Sequence, residues 1–183
     1  MERALHYSHT LLKEIIQPGD LVVDATMGNG NDTVFLAQLV GPTGSVHAFD
    51  IQEIAIENTK KRLDDVGLSA NLHLKGHENV EEYLNHDLKA AIFNLGYLPK
   101  SDKSIITLPE NTLKALDTLL EHLLPSGRVV VVVYYGHAGG EIEKNEVINY
   151  SQALSQEEFQ VLQYQFINQK NNPPFLICIE RKS

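Results

Sequence analysis

The sequence predicts an α/β protein whose core is a doubly wound, seven-stranded sheet ending in a C-terminal antiparallel hairpin. Short apolar runs alternate with amphipathic stretches along all 183 residues, which is typical of strands joined by helical crossovers. No long linker or internal repeat interrupts this alternation. Because 183 residues is close to the length of one domain, we expect a single domain spanning residues 1–183.

The N-terminal half is predicted to begin with a helix within residues 1–17, which Pro18 and Gly19 end. Gly28 and Gly30 form a turn after the first strand, and Gly67 closes a surface helix. The segments after the first helix are, in order, a buried strand, a helix, a strand, a surface helix and a strand: Leu21–Ala25, Thr33–Val40, Ser45–Phe49, Glu53–Val66 and Leu72–Leu74.

The C-terminal half continues the alternation and ends in two strands without a helix between them. The connection Asn168–Pro174 contains only polar residues and prolines, so we expect these strands to pair antiparallel at one edge of the sheet. The predicted segments are a short helix, a strand, a helix, a strand, a helix and the two strands: Glu81–Leu84, Ala90–Phe93, Glu110–Leu123, Arg128–Tyr134, Glu143–Leu154, Val161–Ile167 and Phe175–Glu180.

The composition excludes several classes of protein. Hydrophobic residues make up 43% and charged residues 21% of the chain, which argues against disorder and coiled coil. The apolar runs are too short to cross a bilayer and no signal peptide is evident, so we expect a cytoplasmic protein without membrane contact. Cys178 is the single cysteine, which excludes a cysteine-rich metal site. A net charge of −9 argues against nucleic-acid binding over the whole surface but permits a local basic patch.

The turn after the first strand has the features of a ligand-binding loop. Gly28 and Gly30 let the backbone approach a ligand, and the helix that follows offers free N–H groups. Asp50 ends the second strand, 26 residues after Asp24, where a carboxylate can accept both hydroxyls of a ribose. The sequence therefore predicts a nucleotide-type cofactor at this edge of the sheet.

Two cofactors use this geometry. A dinucleotide site favours a third glycine at the position of Thr33 and no acid in the first strand, where this chain has Asp24. S-adenosylmethionine carries an ammonium and a sulfonium but no phosphate, so the acids favour it. Asp32 is alternatively a helix cap, and His77 with Glu78 alternatively a polar turn. The predicted cofactor-binding residues are Asp24, Thr26, Gly28, Asn29, Gly30, Asn31, Asp32, Thr33, Asp50, Ile51, Gln52, His77, Glu78 and Asn94.

Asn94 follows the fourth strand, where a sheet of this kind carries catalytic groups. Many amino-methylating enzymes have Asn or Asp, two prolines and an aromatic residue there, and this chain has Leu95 and Gly96 in place of the prolines. We expect Asn94 to hold an amine and Tyr97 to pack on a base. The alternative is an asparagine turn beside a core tyrosine.

Five segments together resemble a small bacterial family, the YtqB-like proteins long labelled rRNA methylases. They are Asp24–Thr33, Phe49–Gln52, Phe93–Pro99, Tyr135–Gly140 and Ile167–Pro174, and they occur in the order of the family. Members of this family act as the tRNA 5-aminomethyl-2-thiouridine methyltransferase. The resemblance covers essentially the whole chain. Lys100–Lys103 departs from it, because the family pattern suggests a glycine-richer loop with a histidine there.

The resemblance implies a class I S-adenosylmethionine-dependent methyltransferase that N-methylates the 5-aminomethyl group of the wobble uridine. The implied partner is a tRNA anticodon stem-loop, and a homodimer would be one way to build a composite surface. The alternatives are an rRNA base methylase or a small-molecule amine methyltransferase of the same fold. A non-catalytic binding protein and a dehydrogenase are more distant alternatives.

An aliphatic amine is mostly protonated at neutral pH, so the site needs a group that accepts or relays a proton. His137 follows the fifth strand and is the predicted relay, with a loop histidine as the alternative. The predicted catalytic residues are therefore Asn94, Tyr97 and His137. We expect the N-terminal helix to fold over this site, and the predicted substrate contacts are Tyr97, Tyr135, His9, Lys100 and Lys103. Arg62 is expected to face solvent elsewhere.

Overall fold

The computed structural model describes residues 1–84, 87–96 and 108–183. Its strands are β1 (Leu21–Asp24), β2 (Ser45–Asp50), β3 (Asn71–Leu74), β4 (Leu88–Leu95), β5 (Leu123–Val133), β6 (Phe159–Tyr164) and β7 (Phe175–Arg181). Its helices are α1 (Ala4–Lys13), α2 (Asn31–Val40), α3 (Glu53–Asp65), α4 (Pro109–Glu121) and α5 (Gly140–Gln152), and a 3₁₀ helix covers His77–Tyr83.

Within the described residues, seven strands form one sheet in the order β3-β2-β1-β4-β5-β7-β6. The first five strands are parallel, and β7 pairs antiparallel with both β5 and β6. This arrangement confirms the predicted doubly wound sheet with an antiparallel C-terminal pair at one edge. The position of β7 between β5 and β6 was not predicted from the sequence.

Two apolar layers cover the sheet, one on each face. Val129, Val131 and Val133 pack with α4 and α5 on one face, whereas Val130 and Val132 pack with α1 and α2 on the other. All five side chains are 0% exposed. A strand that is buried on both faces needs a continuous apolar run, and this explains the five consecutive valines.

Some element boundaries differ from the sequence-based prediction. Strand β5 begins at Leu123 rather than at Arg128, because Leu88 and Leu123 are paired in register near the start of β4. The predicted helix at 81–84 is instead the last part of the 3₁₀ helix, which starts at His77. The buried ring of His77 bonds to Ala25 and fixes that first turn, a contact between distant segments.

The carboxyl ends of the parallel strands meet at one edge, and the direction of winding reverses between β1 and β4. Open α/β sheets bind ligands at this position. Helix α1 lies on the α2 face, where Arg128 Nη1 donates to the Leu11 carbonyl at 2.7 Å. Among the described residues, no helix is long and apolar enough to cross a membrane.

Candidate active site

A cavity of about 820 Å³ opens at the carboxyl edge of the sheet. Its wall includes most of the predicted cofactor-binding residues, together with two of the predicted catalytic and substrate-contacting residues. From the cofactor set it contains Thr26, Gly28, Asn29, Asn31, Asp32, Asp50, Ile51, Gln52, His77, Glu78 and Asn94, and it also contains Tyr135 and His137. The structure thus brings together residues that the sequence places at the ends of five different strands.

Asp24, Thr33 and Gly30 are buried behind this wall. The Asp24 carboxyl, which is 0% exposed, accepts a hydrogen bond from the Thr26 N–H at 3.1 Å and from the Thr33 hydroxyl at 2.7 Å. Burial and, second, the nearby Asp32 raise the pKa of Asp24 to about 8. At neutral pH Asp24 therefore favours the neutral acid, and its contacts position the turn after β1 rather than a charged ligand group.

Gly30 has a packing role in the turn after β1. Its backbone φ of +89° is in the left-handed region. A Cβ at this position would lie 2.8 Å from the Thr59 hydroxyl oxygen and 2.9 Å from the Thr59 Cα on α3. Gly30 thus lets the turn sit directly against α3, a contact that was not predicted from the sequence.

The Asp50 carboxylate is fixed at the end of β2 by two backbone donors. The Gly28 N–H donates to Oδ2 at 3.0 Å, and the Gln52 N–H donates to Oδ1 at 3.0 Å. Each carboxylate oxygen can accept a further hydrogen bond. Asp50 lines the cavity and is held ready to accept a pair of donors such as ribose hydroxyls.

The His77 side chain fixes part of the cavity wall through its contacts with Ala25 and Phe93. Its Nδ1 lies 2.9 Å from the Ala25 carbonyl, its ring meets Phe93 edge-on with centroids 5.3 Å apart, and burial lowers its pKa. The ring is therefore neutral at neutral pH and donates its Nδ1 hydrogen to Ala25. Glu78 is the neighbouring cavity residue that remains partly exposed.

Asn94 is held by two hydrogen bonds that it donates, and it keeps one unused acceptor among the described residues. Its N–H donates to the Thr26 hydroxyl at 2.6 Å, and its Nδ2 donates to Asp32 Oδ2. Among the described side chains, Asn94 Oδ1 is the buried polar atom that lacks a hydrogen-bond partner. A buried acceptor without a donor is costly, so this oxygen is a candidate acceptor for a ligand donor.

Asp32 does not cap α2, which corrects one of the two sequence-based alternatives. The N-cap position is Gly30, with no side-chain cap bond, and Asp32 lies in the first turn. Its Oδ1 lies 2.6 Å from His9 Nε2, so the carboxylate connects α1 to Asn94. The His9 ring stacks on Phe35 with centroids 3.9 Å apart and planes 7° apart.

The predicted residues after β4 and β5 fall into two groups. Tyr135 and His137 line the cavity, and the Tyr135 ring lies near Phe175 with Lys144 Nζ 4.4 Å from its centroid. Tyr97, Lys100 and Lys103 lie outside the described residues. Their proposed roles stay predictions.

Several cavity residues were not predicted from the sequence. Lys75, Tyr134 and Asn172 line the wall, and Arg62 donates from Nε to the Asn29 carbonyl at 2.9 Å. Arg62 is exposed, as expected for a surface helix, and its contact with Asn29 was not predicted. Asn172 belongs to one of the segments that carry the family resemblance, and this was the signal that could have identified it.

The donor set fits S-adenosylmethionine. Asp50 offers a fixed carboxylate, and Asp32 and Glu78 add acidic groups that suit an ammonium and a sulfonium. The described part of the wall holds one cation, Lys75, whereas a pyrophosphate favours several N–H or cationic donors. Asn94 Oδ1 has no hydrogen-bond partner among the described residues and is a candidate acceptor for a second ligand.

Comparisons with known proteins agree with this assignment. The model of the family described as "Putative rRNA methylase" matches residues 46–180. The chain is 37% identical to the chloroplastic tRNA (mnm(5)s(2)U34)-methyltransferase of Arabidopsis thaliana, in an alignment that covers 100% of this chain and 71% of that protein.

Two solved structures share the whole fold. One, from Clostridium thermocellum, carries the same rRNA-methylase description; it is 47% identical with a TM-score of 0.97, covering 99% of this chain and 98% of that one. The other, a methyltransferase-family protein of Streptococcus mutans in complex with SAH, is 42% identical with a TM-score of 0.92, covering 99% of each chain. The chain therefore belongs to the rRNA methylase family, and it is an S-adenosylmethionine-dependent methyltransferase.

Proposed function

We propose that this methyltransferase N-methylates the 5-aminomethyl group of the wobble uridine in tRNA. The observation that carries the proposal is the buried Oδ1 of Asn94 at the end of β4, which has no hydrogen-bond partner in the part of the chain that the structure describes. The name of the Arabidopsis relative, which is 37% identical over the full chain, supports the same substrate. The 5-aminomethyl form or its 2-thio form is the acceptor.

The orientation of the Asn94 amide selects a hydrogen-bond donor. An ionised Asp32 carboxylate is an acceptor only, so the amide nitrogen of Asn94 must face it. The amide oxygen is then left facing a ligand, and it can accept from an amine N–H but cannot bind a carbonyl or a carboxylate. This favours an amine as the group that is methylated.

The chemistry needs alignment and the exclusion of water more than it needs a nucleophilic side chain. When bound, S-adenosylmethionine supplies an activated methyl group. We expect Asp50 to hold the ribose and Asn94 to orient the amine lone pair toward that methyl. Tyr135 offers an aromatic surface on the same wall for a uracil ring, and Tyr97 remains a second candidate.

Two lysines lie beside the cavity of this acidic protein, and each is paired with a glutamate: Lys75 Nζ lies 2.8 Å from Glu82 Oε2, and Lys144 Nζ lies 3.3 Å from Glu141 Oε1. Lys75 lines the wall, and Lys144 lies over the ring of Tyr135. Two lysines suit contact with the few phosphates of an anticodon loop better than contact with the many phosphates of a long duplex. The anticodon stem-loop of tRNA is the partner that we propose.

The test uses two preparations of the same tRNA, one carrying 5-aminomethyluridine at the wobble position and one unmodified there. We expect methyl incorporation only into the first, with the label recovered as 5-methylaminomethyluridine by mass spectrometry of the nucleosides. Equal methylation of both, or label in methyladenosine or methylcytidine, would contradict the proposal and favour a base methylase.

A further inference from the structure

We propose that Asp32 and His9 relay the proton that the acceptor amine loses, with His9 carrying it from the cavity to solvent across α1. The inference rests on the proposed function, because it concerns an aliphatic amine acceptor. It is independent of the sequence-based candidate, His137. The pair joins a helix at the outer surface to the wall that holds Asn94.

The overall reaction releases one proton. The ammonium form of the amine loses a proton, its nitrogen lone pair then forms a bond to the methyl carbon, and the electron pair of the breaking carbon–sulfur bond stays on sulfur. The product is a secondary ammonium. Asn94 cannot take up the released proton, since an amide is not basic, so the site needs a second group near Asn94 Oδ1.

Asp32 is placed to be that group. It lines the cavity, and its Oδ2 already holds the Nδ2 of the same Asn94 whose Oδ1 awaits a donor. A carboxylate has about four lone-pair sites. The bonds to Asn94 and His9 therefore leave Asp32 able to accept a proton from an amine that Asn94 holds.

His9 provides the path outward. Its Nε2 lies 2.6 Å from Asp32 Oδ1, and its side chain is 23% exposed whereas that of Asp32 is 8% exposed. While Asp32 is ionised, the His9 ring donates its Nε2 hydrogen to Asp32 Oδ1. Once Asp32 has taken up the proton of the amine, the ring changes by exchange with solvent to the tautomer that carries hydrogen on Nδ1, and its Nε2 then accepts the proton from Asp32. The resulting imidazolium releases the Nδ1 hydrogen to solvent, which restores the form protonated on Nε2. Stacking on Phe35 fixes the ring plane during these transfers.

Other ionisable groups face the pair. Asp24 on β1 lies near Asp32, and burial together with the charge of Asp32 raises the pKa of Asp24. Burial and the charge of Asp32 also raise the pKa of Tyr134, which follows β5. Both are protonated at neutral pH and do not compete for the proton.

A second group of charges lies at the other end of α1. Arg128 of β5 and Glu180 of β7 interact with each other there, beside Leu11 and Glu14.

The experiment measures kcat against pH, from about pH 6 to about pH 9, for the wild type, His9→Gln and Asp32→Asn with the aminomethyl tRNA. General-base relays contribute roughly 100-fold or more, so we expect His9→Gln to lower kcat about 100-fold at about pH 7. The loss should shrink as pH rises, because the amine then deprotonates without the relay. Asp32→Asn should behave in the same way with a larger loss.

Binding of S-adenosylhomocysteine by calorimetry provides a readout that does not depend on turnover. We expect His9→Gln to bind it within about twofold of the wild type. His6→Gln, an exposed histidine on the same helix, is the matched control and should leave kcat unchanged. A pH-independent loss in His9→Gln, or equal loss of kcat and of binding, would show a structural role and overturn the relay.

His137→Gln tests the competing assignment. A pH-dependent loss in this variant, with His9→Gln following the wild-type profile, would move the relay to His137 and overturn the inference. A wild type that fails to methylate the aminomethyl tRNA would overturn the proposed function itself. An active wild type with unaffected His9→Gln and Asp32→Asn variants would overturn the relay alone.

Discussion

The two walls of the cavity differ in how completely their polar groups are satisfied. In the binding wall, after β1, β2 and β3, both Asp50 oxygens accept backbone N–H groups and the His77 ring donates to Ala25. In the reaction wall, after β4 and β5, Asn94 is held on two sides but its buried Oδ1 has no partner among the described residues.

This difference separates binding from chemistry. A wall whose groups are already fixed by the backbone binds a cofactor with little reorganisation. The unpartnered acceptor of the other wall gains a hydrogen bond only when the second ligand binds. This hydrogen bond therefore stabilises the reacting complex more than it raises the affinity for the cofactor. Variants in the two walls should therefore have different kinetic signatures.

The largest effect is expected for Asn94→Ala, which removes the unmet acceptor of the reaction wall. We expect kcat to fall about 1000-fold, or about 4 kcal/mol, because the amine is no longer oriented. The affinity for S-adenosylhomocysteine should change only a few-fold. Single-turnover kinetics and calorimetry measure the two quantities, with the exposed Asn145→Ala as a control. Equal losses in both would remove the distinction between the walls.

The second effect concerns Asp24, which supports both walls from behind. Unfolded Asp24 ionises near pH 3.8, whereas the folded group ionises near pH 8. Between these values the unfolded state loses a proton that the folded state retains, so the free energy of unfolding falls as pH rises; below pH 3.8 both states are protonated and the dependence disappears.

Asp24→Asn removes this dependence and retains a partner for Thr33. We expect the variant to gain stability relative to the wild type as pH rises from about 4 to about 8, by about 1.4 kcal/mol for each pH unit. Urea unfolding at a series of pH values, with the wild type as reference, measures the gap. A gap that stays constant with pH would mean that Asp24 is ionised in the folded protein at neutral pH.

The third effect isolates the binding wall. Asp50→Ala removes an acceptor that two ribose hydroxyls would share, and we expect S-adenosylhomocysteine to bind about 30-fold to 150-fold more weakly, or about 2 to 3 kcal/mol. Turnover at saturating cofactor should change much less than in Asn94→Ala. Asp50→Asn, which keeps one acceptor oxygen, should lose less affinity. Unchanged affinity in Asp50→Ala would exclude it from the ribose site.

The smallest effect concerns the turn that supports the binding wall. Gly30→Ala combines a positive φ with a collision against Thr59, whereas Gly67→Ala has a φ of +68° and open space. We expect Gly67→Ala to cost about 1 kcal/mol and Gly30→Ala about 2 kcal/mol more, from strain and displacement of α3. Denaturant midpoints of both variants measure the difference. Equal costs would show that α3 adjusts freely.

Features that depend on neighbouring residues were predicted well. The valine run Val129–Val133 predicted a central strand, and the turn at Gly28 predicted a strand-to-helix connection, since both patterns reflect local geometry and burial. The ends of the helices and strands were predicted less accurately. The start of β5 depends on its pairing with β4, which the local sequence does not encode.

Roles of single site residues were predicted less well. Asp32, Gly30 and Arg62 each gained a role from a contact with a distant segment: His9, Thr59 and Asn29, respectively. Asp24 was predicted as a cofactor residue because an acid in the first strand suits the positive charges of S-adenosylmethionine. In the structure its side chain is fully buried and accepts a hydrogen bond from the Thr33 hydroxyl.

The sequence by itself determined the order of helices and strands, the edge at which the site forms and the residues that reach that edge. Periodicity and turn residues act over a few positions, so they can be read without coordinates. Only the tertiary structure decided that His9, 23 residues from Asp32, and Asn94, 62 residues from it, share one carboxylate. Such contacts arise when the winding of the sheet brings distant segments together, and no local pattern specifies which donor meets which acceptor.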